Sequence, residues 1–358
     1  MVANREKRAE NIDARVGIDS REGALTRGFA VSLNGNVATV KAEFTVPGNY
    51  GITASYPGDS NNKNSWATLT QTILGLTTTT LVSSLSPSLS EKPVTFTATV
   101  RSKFGAIPDG ESVTFYSGAS LIGAAATVGG VASVTASSLT AGRYTIKAVY
   151  AGDATFKASS YAISQVVNGY PTSSSLTSNP NPSVYDQAIT LTAGVTGTGP
   201  FAPTGNVSFV SSGNILANVK LNSSGLAVVT TRKLNAGSYP LTAVYKGDPY
   251  NQSSTSRVQN QTVLQTTSQA TITSSLNPSI VGQAVTFTAT ITSPTVMPTG
   301  PVTFIAGSTS LGSVQLSGGK ATFTTSSLPA GSTVVKVKYD GNSNIKGSSA
   351  SLTQVLQP

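Results

Sequence analysis

The chain contains no cysteine and no histidine among its 358 residues. No disulfide can staple it, and no thiol can serve as a nucleophile. Zinc sites built on Cys or His ligands are excluded, as is a Ser–His–Asp triad. The lack of cysteine leaves the compartment open, since it permits an oxidising exterior without requiring one. Charge is also scarce, at 10% of residues, with only 14 acidic side chains. No run of 18 apolar residues occurs, so the sequence predicts no membrane-spanning helix. The first 28 residues lack the apolar stretch of a signal peptide. No Gly-x-x-x-x-Gly-Lys-Ser/Thr phosphate loop is present.

The formal net charge is +9. Six basic and five acidic residues fall in Met1–Gly28, leaving seventeen basic and nine acidic in the rest. Those Lys and Arg are scattered singly, and none forms a run of the kind that binds nucleic acid. A nucleic-acid partner is therefore not expected. The plain reading is a soluble basic surface, and the alternative is weak attraction to anionic polysaccharide or lipid.

What the chain has in excess is Thr, Ser, Gly, Val and Ala. β-branched residues are stiff at χ1 and suit a pleated sheet better than a helix. One phrase recurs four times: Tyr56-Pro57-Gly58-Asp59, Tyr150-Ala151-Gly152-Asp153, Tyr245-Lys246-Gly247-Asp248 and Tyr339-Asp340-Gly341-Asn342. Successive copies of the Tyr lie 94, 95 and 94 residues apart. A regular interval of this kind marks a repeated structural unit. Ahead of each Tyr the residues alternate, as in Tyr144, Ile146, Ala148 and Tyr150, which is the period of a half-buried strand. "VTFTATV" (Val94–Val100), "ITLTAGV" (Ile189–Val195) and "VTFTATI" (Val285–Ile291) alternate likewise. Val113/Phe115, Val207/Phe209 and Val302/Phe304 predict a short strand after a Pro-x-Gly turn.

Seven strands are expected in the second unit, near Thr79–Ser83, Pro93–Arg101, Ser112–Tyr116, Ser120–Thr127, Val131–Ser137, Gly142–Tyr150 and Tyr161–Val167. Seven short strands in about 90 residues, split by Gly, Pro, Ser and Asn turns, predict an all-β chain of tandem immunoglobulin-like sandwiches. Tyr144 stands where that fold places a Tyr near the start of strand F, and Ile146 stands where its Cys would be. The expected organisation is a non-repeat charged segment over 1–28, disordered or weakly helical, then an incomplete unit over 29–74. Three complete units follow over 76–167, 170–264 and 268–358.

These phrases carry a family resemblance. "NPSIVGQAVTFTATI" (Asn277–Ile291), "PTGPVTF" (Pro298–Phe304), "SLPAGS" (Ser327–Ser332) and the Tyr-x-Gly-Asp/Asn phrase resemble bacterial immunoglobulin-like repeats of the group 3 type. The likeness covers roughly residues 29–357. It implies an extracellular or cell-surface bacterial location and a role as a spacer or adhesive array. The function so implied is a non-enzymatic spacer or scaffold. The alternatives are an adhesin or carbohydrate-binding module using end loops, and accessory repeats of a larger extracellular hydrolase. A cell-surface polysaccharide or another protein is the implied partner, with the chain itself a monomer.

In the recurring phrase, Gly58, Gly152, Gly247 and Gly341 are expected to turn the chain at positive φ. Asp59, Asp153, Asp248 and Asn342 are expected to close Asx-turns onto backbone N–H groups two residues on. Asn at one copy argues against a requirement for negative charge. Calcium needs six to eight oxygens, and the loops after Asp153 and Asp248 offer one carboxylate each, so no metal site and no cofactor is expected. Asp109 and Glu111 share a turn, where a solvated turn is a better reading than a catalytic pair. No catalytic residue is assigned. The end loops carry the candidates for contact: Phe104, Ile107, Phe201, Val296 and Met297. The competing reading is that these side chains plug the end of their own sandwich.

The first unit stands apart. The repeat runs back from Tyr56 to about Phe29 and stops, which predicts strands near Phe29–Leu33, Val37–Glu43, Gly48–Tyr56 and Trp66–Ile73. The equivalents of strands A, B and C are missing. In their place stands a charged segment with weak helical spacing at Ala9, Ile12 and Val16.

Overall fold

Alternation of apolar and hydroxyl residues decides the architecture, because it gives every strand one face to bury and one to leave wet. The computed structural model describes residues 13–20 and 27–358. The chain divides into two units, 1–168 and 169–358.

In the first unit the strands are β1 (Asp13–Ser20), β2 (Arg27–Ser32), β3 (Gly48–Tyr56), β4 (Ser65–Ile73), β5 (Thr77–Ser83), β6 (Ser88–Leu89), β7 (Val94–Ser102), β8 (Ser112–Ser117), β9 (Ser120–Ala126), β10 (Val131–Ala136), β11 (Gly142–Tyr150) and β12 (Ser159–Asn168). Strands β5 to β12 make a complete sandwich. One sheet has the order β10-β7-β5 and the other β6-β12-β11-β8-β9. All pairings are antiparallel except β6 on β12, which is parallel. The two-residue strand β6 is an addition to the seven expected strands. It escapes a reading of periodicity because two residues carry no period.

The inner faces follow the alternation. Val94, Phe96, Ala98 and Val100 of β7 are buried against Val113, Phe115, Ile146, Ala148 and Tyr150. The Thr residues between them stay partly exposed, and Thr95 and Thr97 bond across the outer face to Thr135 and Ser133. With each large apolar side chain contributing roughly 1.5–3 kcal/mol on burial, packing holds this core without a cross-link.

The second unit holds two further sandwiches of the same plan. In one, Thr172–Asn179, Ile189–Gly197 and Leu226–Thr231 form the small sheet. In the other, Gln269–Ser274, Val285–Thr292 and Lys320–Thr325 do so. Phe209 and Phe304 occupy the place that Phe115 holds in the first sandwich, and all three are fully buried. The Tyr of strand F bonds back across its corner in two of the sandwiches. Tyr144 Oη donates to the Thr140 carbonyl at 2.9 Å and Tyr239 Oη to the Asn235 carbonyl at 3.0 Å. The first, incomplete unit has the same bond, from Tyr50 Oη to the Val46 carbonyl at 2.8 Å.

That incomplete unit differs from expectation in three ways. Asp13–Ser20 is a strand rather than a helical stretch. Ladder bonds on both sides, to β2 and β3, outweigh the weak helical spacing. The remaining parts of the charged segment, 1–12 and 21–26, lie outside the described residues. Second, the place of strand C is filled. The sheet order β2-β1-β3-β4 puts β1 beside β3, as β8 lies beside β11. The repeat offset of 94 carries Ala54 onto Ala148 and Phe29 onto Gly123. Val16 is opposite Ala54 and Phe29, as Phe115 is opposite Ala148 and Gly123. Third, no strand forms over Val37–Glu43, where only an isolated Asn34–Val37 bridge occurs. Its counterpart β10 pairs with β7, and among the described residues no strand of this unit takes the place of β7.

Candidate functional site

The recurring Tyr-x-Gly-Asp/Asn phrase ends the long strand of every unit, and the four loops are built alike. Asp153 Oδ1 accepts the N–H groups of Thr155 and Phe156 at 2.6 and 2.5 Å. Asp248 Oδ1 accepts those of Tyr250 and Asn251 at 2.9 and 2.8 Å. Asp59 does the same for Asn61 and Asn62, both at 2.7 Å. Asn342 Oδ1 forms the same pair, from Asn344 at 2.8 Å and Ile345 at 2.9 Å. The carbonyl-like oxygen therefore suffices to shape the turn. The glycine before it is obligatory: Gly58, Gly152, Gly247 and Gly341 have φ of 90°, 79°, 87° and 76°. A Cβ on Gly152 would also lie 2.6 Å from the Phe156 carbonyl oxygen.

The second carboxylate oxygen adds a bond that the amide does not. Asp59 Oδ2 accepts the Tyr56 hydroxyl at 2.6 Å, and Asp248 Oδ2 accepts the Tyr245 hydroxyl at 3.0 Å. Where the loop carries Asn342, the Tyr339 hydroxyl turns to the Thr299 carbonyl at 3.0 Å. These bonds show in the acid–base chemistry. The Tyr56 hydroxyl, with the Asn61 and Asn62 donors, holds the Asp59 carboxyl down at about 2. Burial opposes ionisation of Asp248. The Thr204 and Tyr250 N–H groups, the Thr204 hydroxyl and the Asn251 amide outweigh it and hold that carboxyl at about 2 as well. Burial pushes the Tyr150 hydroxyl up to about 12.

In the three complete sandwiches the loop has a second task, which sequence reasoning missed. It receives the segment that enters the unit. The Gly75 N–H donates to the Thr155 carbonyl and the Lys157 N–H to the Gly75 carbonyl, at 2.7 and 2.8 Å. Tyr170 makes the same two-way bridge with Tyr250 and Gln252, and Thr266 makes it with Asn344 and Lys346. Hydroxyls extend each clasp: Thr77 to Ser159, Thr172 to Ser254 and Ser268 to Ser348, at 2.7, 2.8 and 2.8 Å. Within the second unit the Asn344 side chain also reaches the neighbouring sandwich. Its Oδ1 accepts the Ala236 N–H at 2.8 Å and its amide donates to Asn235 at 3.2 Å.

A buried glutamine is the other device that was missed. Gln165, Gln261 and Gln354 are fully buried. Gln165 Nε2 donates to the Leu85 carbonyl at 2.8 Å and to Ser88 Oγ at 3.3 Å, while Ser83 Oγ donates to its Oε1 at 2.6 Å. Gln354 repeats the set with Leu276, Ser279 and Ser274. Gln261 keeps the donors' half, to Pro180 and Ser183, but its Oε1 and the Ser178 hydroxyl have no partner. A signal was available: a Gln-x-apolar triplet closes every unit, at Gln71, Gln165, Gln261 and Gln354.

The family can be decided on these grounds together with a match to known sequences. Residues 80–168, 176–264 and 272–356 each match the bacterial Ig-like domain (group 3). The chain belongs to this family. No curated protein matches the chain. Some solved structures are similar to the chain at low identity. The fibronectin(III)-like modules of Clostridium thermocellum CbhA are 18% identical, over 52% of this chain and 93% of theirs, with a TM-score of 0.24. The Escherichia coli adhesin FdeC is 15% identical, over 78% and 97%, with a TM-score of 0.32. Three domains of the bacteriophage RB49 outer capsid protein Hoc are 12% identical, over 78% and 99%, with a TM-score of 0.29.

The five end-loop residues of these Ig-like domains differ in burial. Ile107 is buried in the core of the first sandwich, a correction to its expected place on a contact loop. Its apolar side chain gains more under the sheets than in water. Val296 packs partly against the third core, and Phe201 stacks on Tyr250 with ring centres 4.4 Å apart. Phe104 is exposed, with the Lys103 ammonium 4.9 Å from its ring centre. Met297 is the most exposed of the five, at 65%. Asp109 accepts the Gly129 N–H at 2.7 Å, which gives this carboxylate a turn-closing role. Among the described residues no three Asp or Glu come together as a cation site.

Proposed function

We propose that the chain is a non-enzymatic spacer or scaffold array of a secreted or cell-surface bacterial protein. The observation that carries this reading is the repeated loop. Its Gly and its Asp or Asn set the turn, and the backbone of the residues just after them holds the segment entering the same sandwich. The residues that recur most faithfully thus serve to close each sandwich onto its own entering segment, which is a structural task. Three of the five apolar end-loop side chains turn toward their own sandwiches, which supports the same reading.

An adhesive role is the second reading, and the exposure of Met297 and Phe104 favours it. Cell-surface polysaccharide or another protein would then be the partner. The purified chain, applied to a glycan array and to bacterial and host cells, is expected to show no saturable binding. Saturable binding that is lost in Phe104→Ala or Met297→Ala would replace the spacer reading with the adhesive one.

A further inference from the structure

Among the described residues, four features of the incomplete first unit lack a counterpart, and each of the three complete sandwiches shows what takes the equivalent place. The first is a face. Tyr50, Ile52, Ala54 and Tyr56 of β3 occupy the positions of Tyr144, Ile146, Ala148 and Tyr150, yet none of them is buried, whereas Ile146, Ala148 and Tyr150 are completely so. Leu69 on the neighbouring β4 is 57% exposed, while its counterpart Ile163 packs against a core. The second is an edge. β4 is the last strand of its sheet, whereas the equivalent edge of β12 is paired in parallel with β6. The third is a clasp. Gln71, the counterpart of Gln165, is exposed, and its amide donates to the adjacent Thr72 carbonyl at 3.1 Å, with no further partner among the described residues. The fourth is a ladder partner. Val37–Glu43 keeps the alternation of β10 but forms no strand.

In the complete sandwich one continuous stretch, β5 through β7, answers all four. β7 covers the face and pairs with β10, β6 pairs with the edge of β12, and Ser83, Leu85 and Ser88 close on the glutamine. We infer that the first unit is an acceptor that takes up one such stretch as a peptide in trans. The occupant is an extended segment of about 26 residues. It carries Ser and a free carbonyl for Gln71, then an alternating apolar–Thr strand for the face of β3. The acceptor face is continuous in kind with the inter-sheet interface already formed three times in this chain. Addition of a strand by main-chain bonding, with alternate side chains filling the face, is a general mode of peptide recognition.

The test uses the full chain and a synthetic peptide with the sequence Thr77–Ser102. Titration calorimetry is expected to show one-to-one binding that a scrambled peptide lacks. Hydrogen exchange should slow at least tenfold over 37–43 and 48–73 and stay unchanged elsewhere. Gln71→Ala, which touches no core, should weaken the peptide at least fivefold, and Ile52→Lys should abolish binding. Three results would overturn the inference. One is absence of peptide binding. Another is binding that both variants leave intact. The third is protection of 48–73 in a concentration-dependent dimer without peptide, which assigns the face to a second copy of the chain.

Discussion

At the scale of single residues, the recurring loop separates two demands that the sequence writes together. Shape requires one acceptor oxygen and a glycine, and Asn342 meets the first as well as Asp153 does. A side chain at φ near 80° costs about 1–2 kcal/mol in an L-residue, and here Cβ would also crowd a backbone carbonyl. Gly152→Ala should therefore destabilise the first complete sandwich by at least that amount, read by urea unfolding. Charge is a separate matter. Asp248 has its pKa lowered to about 2 in the folded chain, against about 3.9 when unfolded. A lowered carboxyl contributes stability above the unfolded value and loses it as the pH falls through the folded one. The second sandwich should lose stability between about pH 4 and pH 2. Solvent screening limits the effect to about 1 kcal/mol. Asp248→Asn should show a smaller loss over that window. Comparing hydrogen exchange of Leu241–Tyr245 in the two proteins at each pH checks this.

At the scale of elements, the buried glutamine ties a bent edge segment to the strand that follows it by about 80 residues. Removing Gln354 takes its bonds from Ser274 and Leu276, which keep one bond to each other, and takes the Gln354 amide from the buried Ser279 hydroxyl. Leaving one buried polar group unpaired costs about 1–3 kcal/mol, so Gln354→Ala should cost the third sandwich about that much. Gln71→Ala should cost less than about 0.5 kcal/mol, because Gln71 is wet. Thermal unfolding of the two variants side by side gives the contrast. The same logic explains why Val37–Glu43 is not a strand. A strand is stable through its neighbours, and among the described residues this one has no neighbour although it keeps the pattern.

At the scale of the whole molecule, three closed cores occur among the described residues, and none of them draws on residues 30–74. Local opening is easiest where few apolar side chains are buried. Limited proteolysis and hydrogen exchange should show cleavage and weak protection over 30–74, with 80–168, 176–264 and 272–356 resistant. Equal protection of 30–74 in the isolated monomer would contradict this.

The all-β fold of tandem Ig-like repeats and most strand positions were legible in the sequence. Spacing of the Tyr phrase and alternation such as Val94-Thr95-Phe96-Thr97 are local signals, and local signals survive without a fold. The Asx geometry was legible too, since its bonds span only two or three residues. What the sequence could not show are pairings between residues about 80 positions apart: Gly75 with Thr155 and Lys157, and Gln165 with Leu85. Only the closed sheet brings them within reach. The N-terminal strand was misread for the same reason. Ala9, Ile12 and Val16 suggest a helix in isolation, but the open edge of β3 offers Val16 and its neighbours a ladder of backbone bonds that no periodicity records. The sequence by itself determined the repeat and its strand alternation. Tertiary structure alone decided which edges are filled, because edge filling depends on partners distant in the chain.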